Sequence, residues 1–105
     1  MGQLTEWQER AWQNKLAKGF GTSNIEREFN FAYAELAEAY EAYRKQKPDL
    51  DEELADVLLF TLSLAKMNNI DLEQAVLRKL AKNEKRAYIK TDGGRMVRQP
   101  EKEEL

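Results

Sequence analysis

Glu35 and Glu38, then Glu53 and Asp56, form two acidic pairs at i,i+3 spacing, with 14 residues between the pairs. On a helix, residues three apart project about 60° from one another, so each pair shares a side. Two helices packed on those sides would bring four carboxylates together, and their mutual repulsion calls for a cation between them. Oxygen donors alone select a hard ion, Mg²⁺ or Mn²⁺ ahead of Ca²⁺. Lys79, Asn83 and Arg86 recur at i,i+4,i+7, a cation–amide–cation row that can hold phosphate oxygens. For each of these residues the plain alternative is a solvated side chain paired with an opposite charge, a kind of pair that contributes little.

The chain has no histidine and no cysteine. That removes the commonest general base, serine-type triads, thiol nucleophiles, zinc fingers and nearly every transition-metal site. A di-iron bundle, which needs Glu-x-x-His motifs, is excluded for the same reason. Any chemistry must use carboxylates, lysine, arginine, amides and hydroxyls.

The elements that would position these groups are all helical. Start signals are frequent: Thr5-Glu-Trp-Gln8 and Ser23-Asn-Ile-Glu26 read as capping boxes, and Asp71-Leu-Glu-Gln74 as a weaker version. Pro48-Asp49 with Asp51 marks another turn into a helix. The spacing predicts four helices, about 5–17, 24–46, 51–68 and 72–90, with no strand-like alternation. Loops fall at Lys18-Gly-Phe-Gly-Thr22 and Asn68-Asn69, and residues after Thr91 read as an excursion and a frayed tail.

On the second helix, Ile25, Phe29, Ala32, Leu36, Tyr40 and Tyr43 form an apolar stripe, while Glu26, Arg27, Asn30, Glu41 and Arg44 gather on a solvated sector. Glu35 and Glu38 belong to neither; they share a third stripe with Phe31 and Ala42. On the third helix, Glu53 and Asp56 share a sector with Phe60, Leu64 and Met67. Acids off the solvated sector need a partner, because losing water costs several kcal/mol per ion. On the fourth helix, Leu72, Val76, Leu80 and Ala87 form the expected core stripe, with Lys79, Asn83 and Arg86 on the same face.

At 105 residues the chain reads as one domain with a limited core, buried over only about two-thirds of its unfolded surface. The second and third helices are apolar on too many sides for so short a chain to cover, which implies assembly into at least a homodimer. The composition, 42% hydrophobic and 34% charged, is that of a globular protein, and a net charge of −2 argues against nucleic acid as a partner. Leu54–Ala65, the most apolar stretch, is too short for the roughly 20 residues a membrane span takes. With no leader pattern at the start, a cytoplasmic location is expected.

Glu35-Leu-Ala-Glu38, the gap, and Glu53-Leu-Ala-Asp56 resemble the Glu-x-x-Glu…Glu-x-x-Asp signature of the MazG-like all-α nucleotide pyrophosphohydrolases. Asp56-Val-Leu-Leu-Phe60 and Lys79-Leu-Ala-Lys-Asn83-Glu-Lys-Arg86 are similar to the family's third and fourth helices. The resemblance covers roughly residues 5–92, which implies a four-helix MazG-like domain over 1–92 and an extension or flexible tail over 93–105. It further implies Mg²⁺-dependent hydrolysis of (deoxy)nucleoside triphosphates to the monophosphate and pyrophosphate, in a house-cleaning role, by a dimer or a dimer of dimers.

Carried over position by position, Glu35, Glu38, Glu53 and Asp56 would be metal ligands, with Mn²⁺ as a substitute ion. Lys79, Asn83 and Arg86 would meet the phosphates or orient the ligands. Glu38 is the candidate base for the attacking water, and phosphoryl chemistry needs positioning and charge stabilisation more than a special nucleophile. Trp7, Trp12, Phe20 and Phe31 are stacking candidates for the base, and Asn14 a hydrogen-bonding one; core or interface packing is the ordinary role of such aromatics. The rival reading is a non-enzymatic helical interaction module whose charges form salt-bridge networks.

Overall fold

The computed structural model describes residues 2–99. Four helices, α1 (Gln3–Ala17), α2 (Ile25–Arg44), α3 (Leu50–Met67) and α4 (Leu72–Lys85), are followed by strands β1 (Ala87–Lys90) and β2 (Met96–Gln99). The chain divides into two compact units, Met1–Glu73 and Gln74–Leu105.

In the first unit α3 is the central element, packing against both α1 and α2. It is the most apolar helix, and it supplies most of the core: Leu62, Leu64 and Ala65, joined by Ala39 and Ala42 of α2. Leu62 is fully enclosed, a burial that contributes roughly 2 kcal/mol. The two alanines let the α2 backbone approach α3 closely, and Glu35 and Glu38 sit immediately before them on α2.

Polar ties complete this unit. Gln8 is buried, and its Nε2 donates to the backbone oxygens of Leu62 and Ile70, both at 3.1 Å. Lys15 of α1 meets the buried Glu28 of α2 at 2.9 Å. Thr5 lies inside α1 rather than at its cap, because the Glu73 carboxylate caps this helix from a distance. Glu73 Oε1 accepts from the N–H groups of Leu4 at 2.9 Å and Thr5 at 3.2 Å. At the start of α2 the cap is Asn24, one residue after the expected Ser23, and its side chain accepts from the Arg27 N–H at 3.0 Å.

All three helices of this unit end in the same way. Gly19, Gln46 and Asn69 take positive φ of 75°, 53° and 57°. The N–H of the following residue bonds back to the third-last helical carbonyl: Phe20 to Lys15, Lys47 to Ala42 and Ile70 to Ala65. These are Schellman motifs, which satisfy carbonyls that the helix leaves free.

One expectation about packing, the core stripe of α4, is corrected. Along the α2 stripe Phe29, Leu36, Tyr40 and Tyr43 are exposed and Ile25 and Ala32 half-buried, while Glu28, Ala39 and Ala42 are buried. A helix that packs through alanines can come closer to α3 than one that packs through aromatics, and the large side chains are left facing out. Of the stripe expected on α4, Val76 and Leu80 are likewise exposed, and no residue of that helix is buried.

The second unit corrects the last element. α4 stops at Lys85, five residues before the expected end, and a β-hairpin follows in which Ile89 pairs with Val97 and Lys90 with Met96. Thr91-Asp92-Gly93-Gly94 makes the reversal: the Gly94 N–H donates to Thr91 O at 2.8 Å, and the Thr91 N–H to Arg95 O at 2.8 Å. Gly94 takes φ 82°, the left-handed residue that a three-residue hairpin loop needs after its type I turn. Tyr88-Ile89 and Met96-Val97 favour strand over helix. The frayed tail expected after residue 100 lies outside the described residues.

Candidate metal and nucleotide site

The close approach of α2 to α3 sets the site. Glu35, Glu38 and Glu53 each offer a carboxylate oxygen, and these oxygens lie within 4.8 Å of one another. Glu35 and Glu53 are half-buried, whereas Glu38 is exposed. Asp56 falls outside this group of three and is exposed, yet its charge acts on both Glu35 and Glu53.

The cost of the gathering appears in the acidities. Desolvation first, then the charges of Glu38, Asp56 and Glu53, push the Glu35 carboxyl above its ordinary value of 4.5. A carboxyl–carboxyl hydrogen bond with Glu38 acts in the same direction. Glu53 is raised too, by desolvation and then by Glu38, Asp49 and Asp56, with Lys47 opposing the rise. Oε2 of Glu53 and Oδ1 of Asp49 are buried without a hydrogen-bond partner. Such orphaned oxygens are costly. Together with three convergent oxygen donors they suit a divalent cation, which would supply both the missing partner and the missing charge.

Asp49 and Lys47 are not singled out by the sequence pattern, although a signal exists. Glu38 lies six residues before the end of α2, and Glu53 is the fourth residue of α3. The connection between these helices must therefore border the carboxylates. Lys45-Gln46-Lys47-Pro48-Asp49 is that connection, and as sequence it reads only as a turn.

The remaining candidates divide. Phe31 stands one helical turn before Glu35 and is exposed, with the Arg27 guanidinium 5.9 Å above its ring. Half-buried Trp12 and exposed Asn14 are carried by α1, which packs on α3. Lys79 and Asn83 lie on α4, while Arg86 falls just beyond its last residue. Arg86 Nη1 donates to Asn83 Oδ1 at 2.8 Å, so these two form a local pair, and Arg86 Nε is buried without a partner. Asn83 and Arg86 thus form an amide–guanidinium couple at the end of α4.

The family profile described as the MazG nucleotide pyrophosphohydrolase domain matches residues 25–88, more than half of the chain. The chain belongs to the MazG family. The matched span contains all four acids of the two pairs as well as Lys79, Asn83 and Arg86. A cyanophage S-2L MazG-like pyrophosphohydrolase, solved bound to dGDP and three catalytic Mn²⁺ ions per active site, is similar in structure. It shares 26% identity with a TM-score of 0.59, covering 95% of this chain and 100% of that one. Among curated proteins nothing matches. The helical MazG domain expected from the acidic motif is therefore present, and with it the activity of a nucleoside triphosphate pyrophosphohydrolase.

Proposed function

We propose that this MazG-family enzyme hydrolyses (deoxy)nucleoside triphosphates to the monophosphate and pyrophosphate, with Mg²⁺ as its ion and Mn²⁺ as a substitute, in nucleotide-pool house-cleaning. The observation that carries this reading is the meeting of Glu35, Glu38 and Glu53 oxygens within 4.8 Å. The Mn²⁺ ions and dGDP of the cyanophage neighbour support it.

Glu35, Glu38, Glu53 and Asp56 would hold the cation. When bound, a divalent ion neutralises the polyphosphate and polarises the α-phosphorus. Glu38, the exposed member of the three, orients a water and takes its proton. The water oxygen bonds to the α-phosphorus, the bond from that phosphorus to the bridging oxygen breaks, and pyrophosphate leaves. Lys79, Asn83 and Arg86 meet phosphate oxygens, and Trp12, Asn14 and Phe31 contact the nucleobase.

The enzyme works as a homodimer, or as a dimer of dimers. Phe29, Tyr33, Leu36, Tyr40 and Tyr43 fall at helical spacing along α2 and are all exposed, a continuous apolar strip of the kind that an assembly covers. No helix among the described residues is long and apolar enough to cross a membrane, and the reading places the enzyme in the cytoplasm without nucleic acid as a partner.

The test is pyrophosphate release across canonical and modified dNTPs with Mg²⁺, using wild type and Glu38→Gln. Release by wild type and its loss in a folded Glu38→Gln variant are expected. A wild-type protein that releases no pyrophosphate from any of them, with either ion, would overturn the proposal.

A further inference from the structure

We infer that Lys47, in the turn between α2 and α3, is a polyphosphate-contacting residue of this site, an assignment that rests on the pyrophosphohydrolase reading. A cleft of about 320 Å³ opens beside the carboxylates, and Lys47 lines it together with Glu38 and Glu53. The other lining residues are Ala37, Glu41 and Ala42.

Its neighbours are already engaged. Arg44 and Lys45 both pair with Glu41, at 2.9 Å and 3.6 Å. Lys47 forms no ion pair among the described residues. Its charge is nonetheless felt at the site, since it opposes the upward shift of the Glu53 pKa. The ammonium is therefore close enough to act on the cluster and free to bond elsewhere.

The backbone holds this side chain in place. The Lys47 N–H donates to Ala42 O at 2.8 Å as the last bond of the α2 Schellman motif. Gln46 before it is set at φ 53°, and Pro48 after it restricts Lys47 to extended conformations. A lysine so presented needs to order only its own side chain to reach a ligand.

The sign of the charge decides which ligand. Next to a cation-binding cluster a fixed positive charge weakens cation binding, so the residue is a liability for the metal alone. It becomes an asset when a polyphosphate arrives with several negative charges. Lysine binds phosphate as a compact point charge. A residue that merely neutralised the acids would instead pair with one of them.

Lys47→Gln and Lys47→Arg, with Lys45→Gln as a control of equal charge change, separate these roles. Two quantities are measured on the full chain: Mn²⁺ binding without nucleotide, followed by electron paramagnetic resonance, and binding of inorganic pyrophosphate in the presence of Mn²⁺, followed by calorimetry. Lys47→Gln is expected to hold Mn²⁺ as tightly as wild type or more tightly. It should bind pyrophosphate about tenfold more weakly or worse, the loss typical of one charge-assisted hydrogen bond. Lys47→Arg should restore most of that affinity, and Lys45→Gln should leave it near wild type.

Unchanged pyrophosphate affinity in Lys47→Gln, or an equal weakening of Mn²⁺ and pyrophosphate together, overturns the assignment while leaving the pyrophosphohydrolase reading intact. Wild-type protein that binds no Mn²⁺ overturns both.

Discussion

Replacing Glu35 by glutamine should reverse its effect on stability when metal is added. Without metal, Glu35 is one of three carboxylates whose oxygens lie within 4.8 Å of one another, and it is raised by desolvation and by its neighbours' charges. The Glu35→Gln substitution removes one of those charges, and the new amide can donate a hydrogen bond to Glu38. The apo variant should therefore melt at or above the wild-type temperature. With Mn²⁺ at a hundred times its Kd, a site that binds only the folded state gains about 2.7 kcal/mol.

For a chain of 105 residues the unfolding entropy is about 0.22 kcal/mol/K at the usual value per residue, so that gain raises Tm by roughly 12 °C. If the lost carboxylate lowers affinity about tenfold, the same Mn²⁺ concentration stabilises the variant by only about 1.4 kcal/mol, or roughly 6 °C. The assay is a thermal melt at fixed protein concentration over a Mn²⁺ series, and the wild-type and variant curves should cross as metal rises. An apo variant that melts clearly below wild type, or an equal Mn²⁺ shift in both proteins, would refute the reasoning.

Two further outcomes follow from the same structure. Glu35 and Glu53 are raised above 4.5, so the folded apoprotein holds their protons more tightly than the unfolded chain does. The stability they contribute is complete below the ordinary carboxylate value and is lost as pH rises through their folded values. Stability measured against pH should therefore fall less steeply over this window in a Glu35→Gln/Glu53→Gln variant than in wild type, and saturating Mn²⁺ should remove the wild-type loss. Lys15→Met should destabilise the fold by about 3 kcal/mol in chemical denaturation, because it strands a carboxylate whose side chain is only 4% exposed. Adding Glu28→Leu should recover most of the loss, and failure to do so would mean that the pair matters for more than charge balance.

The acidic motif was legible because its spacing already encodes geometry. Residues three apart on a helix share a side, and acids lying off the solvated sector must meet something. The positions of three helices were legible for the same reason, since periodicity and turn residues are local. The hairpin was not. Tyr88-Ile89 and Met96-Val97 are short runs that gain meaning only when paired, and α4 periodicity can be continued over the first of them. Lys47 and Asp49 were missed because the signal for them lies outside the turn itself, in how near Glu38 and Glu53 stand to the ends of their helices.

By itself the sequence determined the donor chemistry: oxygen ligands in two pairs, no imidazole, no thiol, and helices to carry them. Tertiary structure alone decided which side of α2 meets α3. Glu35 and Glu38 face Glu53 because Ala39 and Ala42 allow close approach where the aromatic stripe would not, and shape complementarity between helices is a property of two surfaces at once. The same packing left Asp56 outside the tightest group and brought Lys47 to the edge of the carboxylates, a neighbour that no pattern along one stretch of sequence contains.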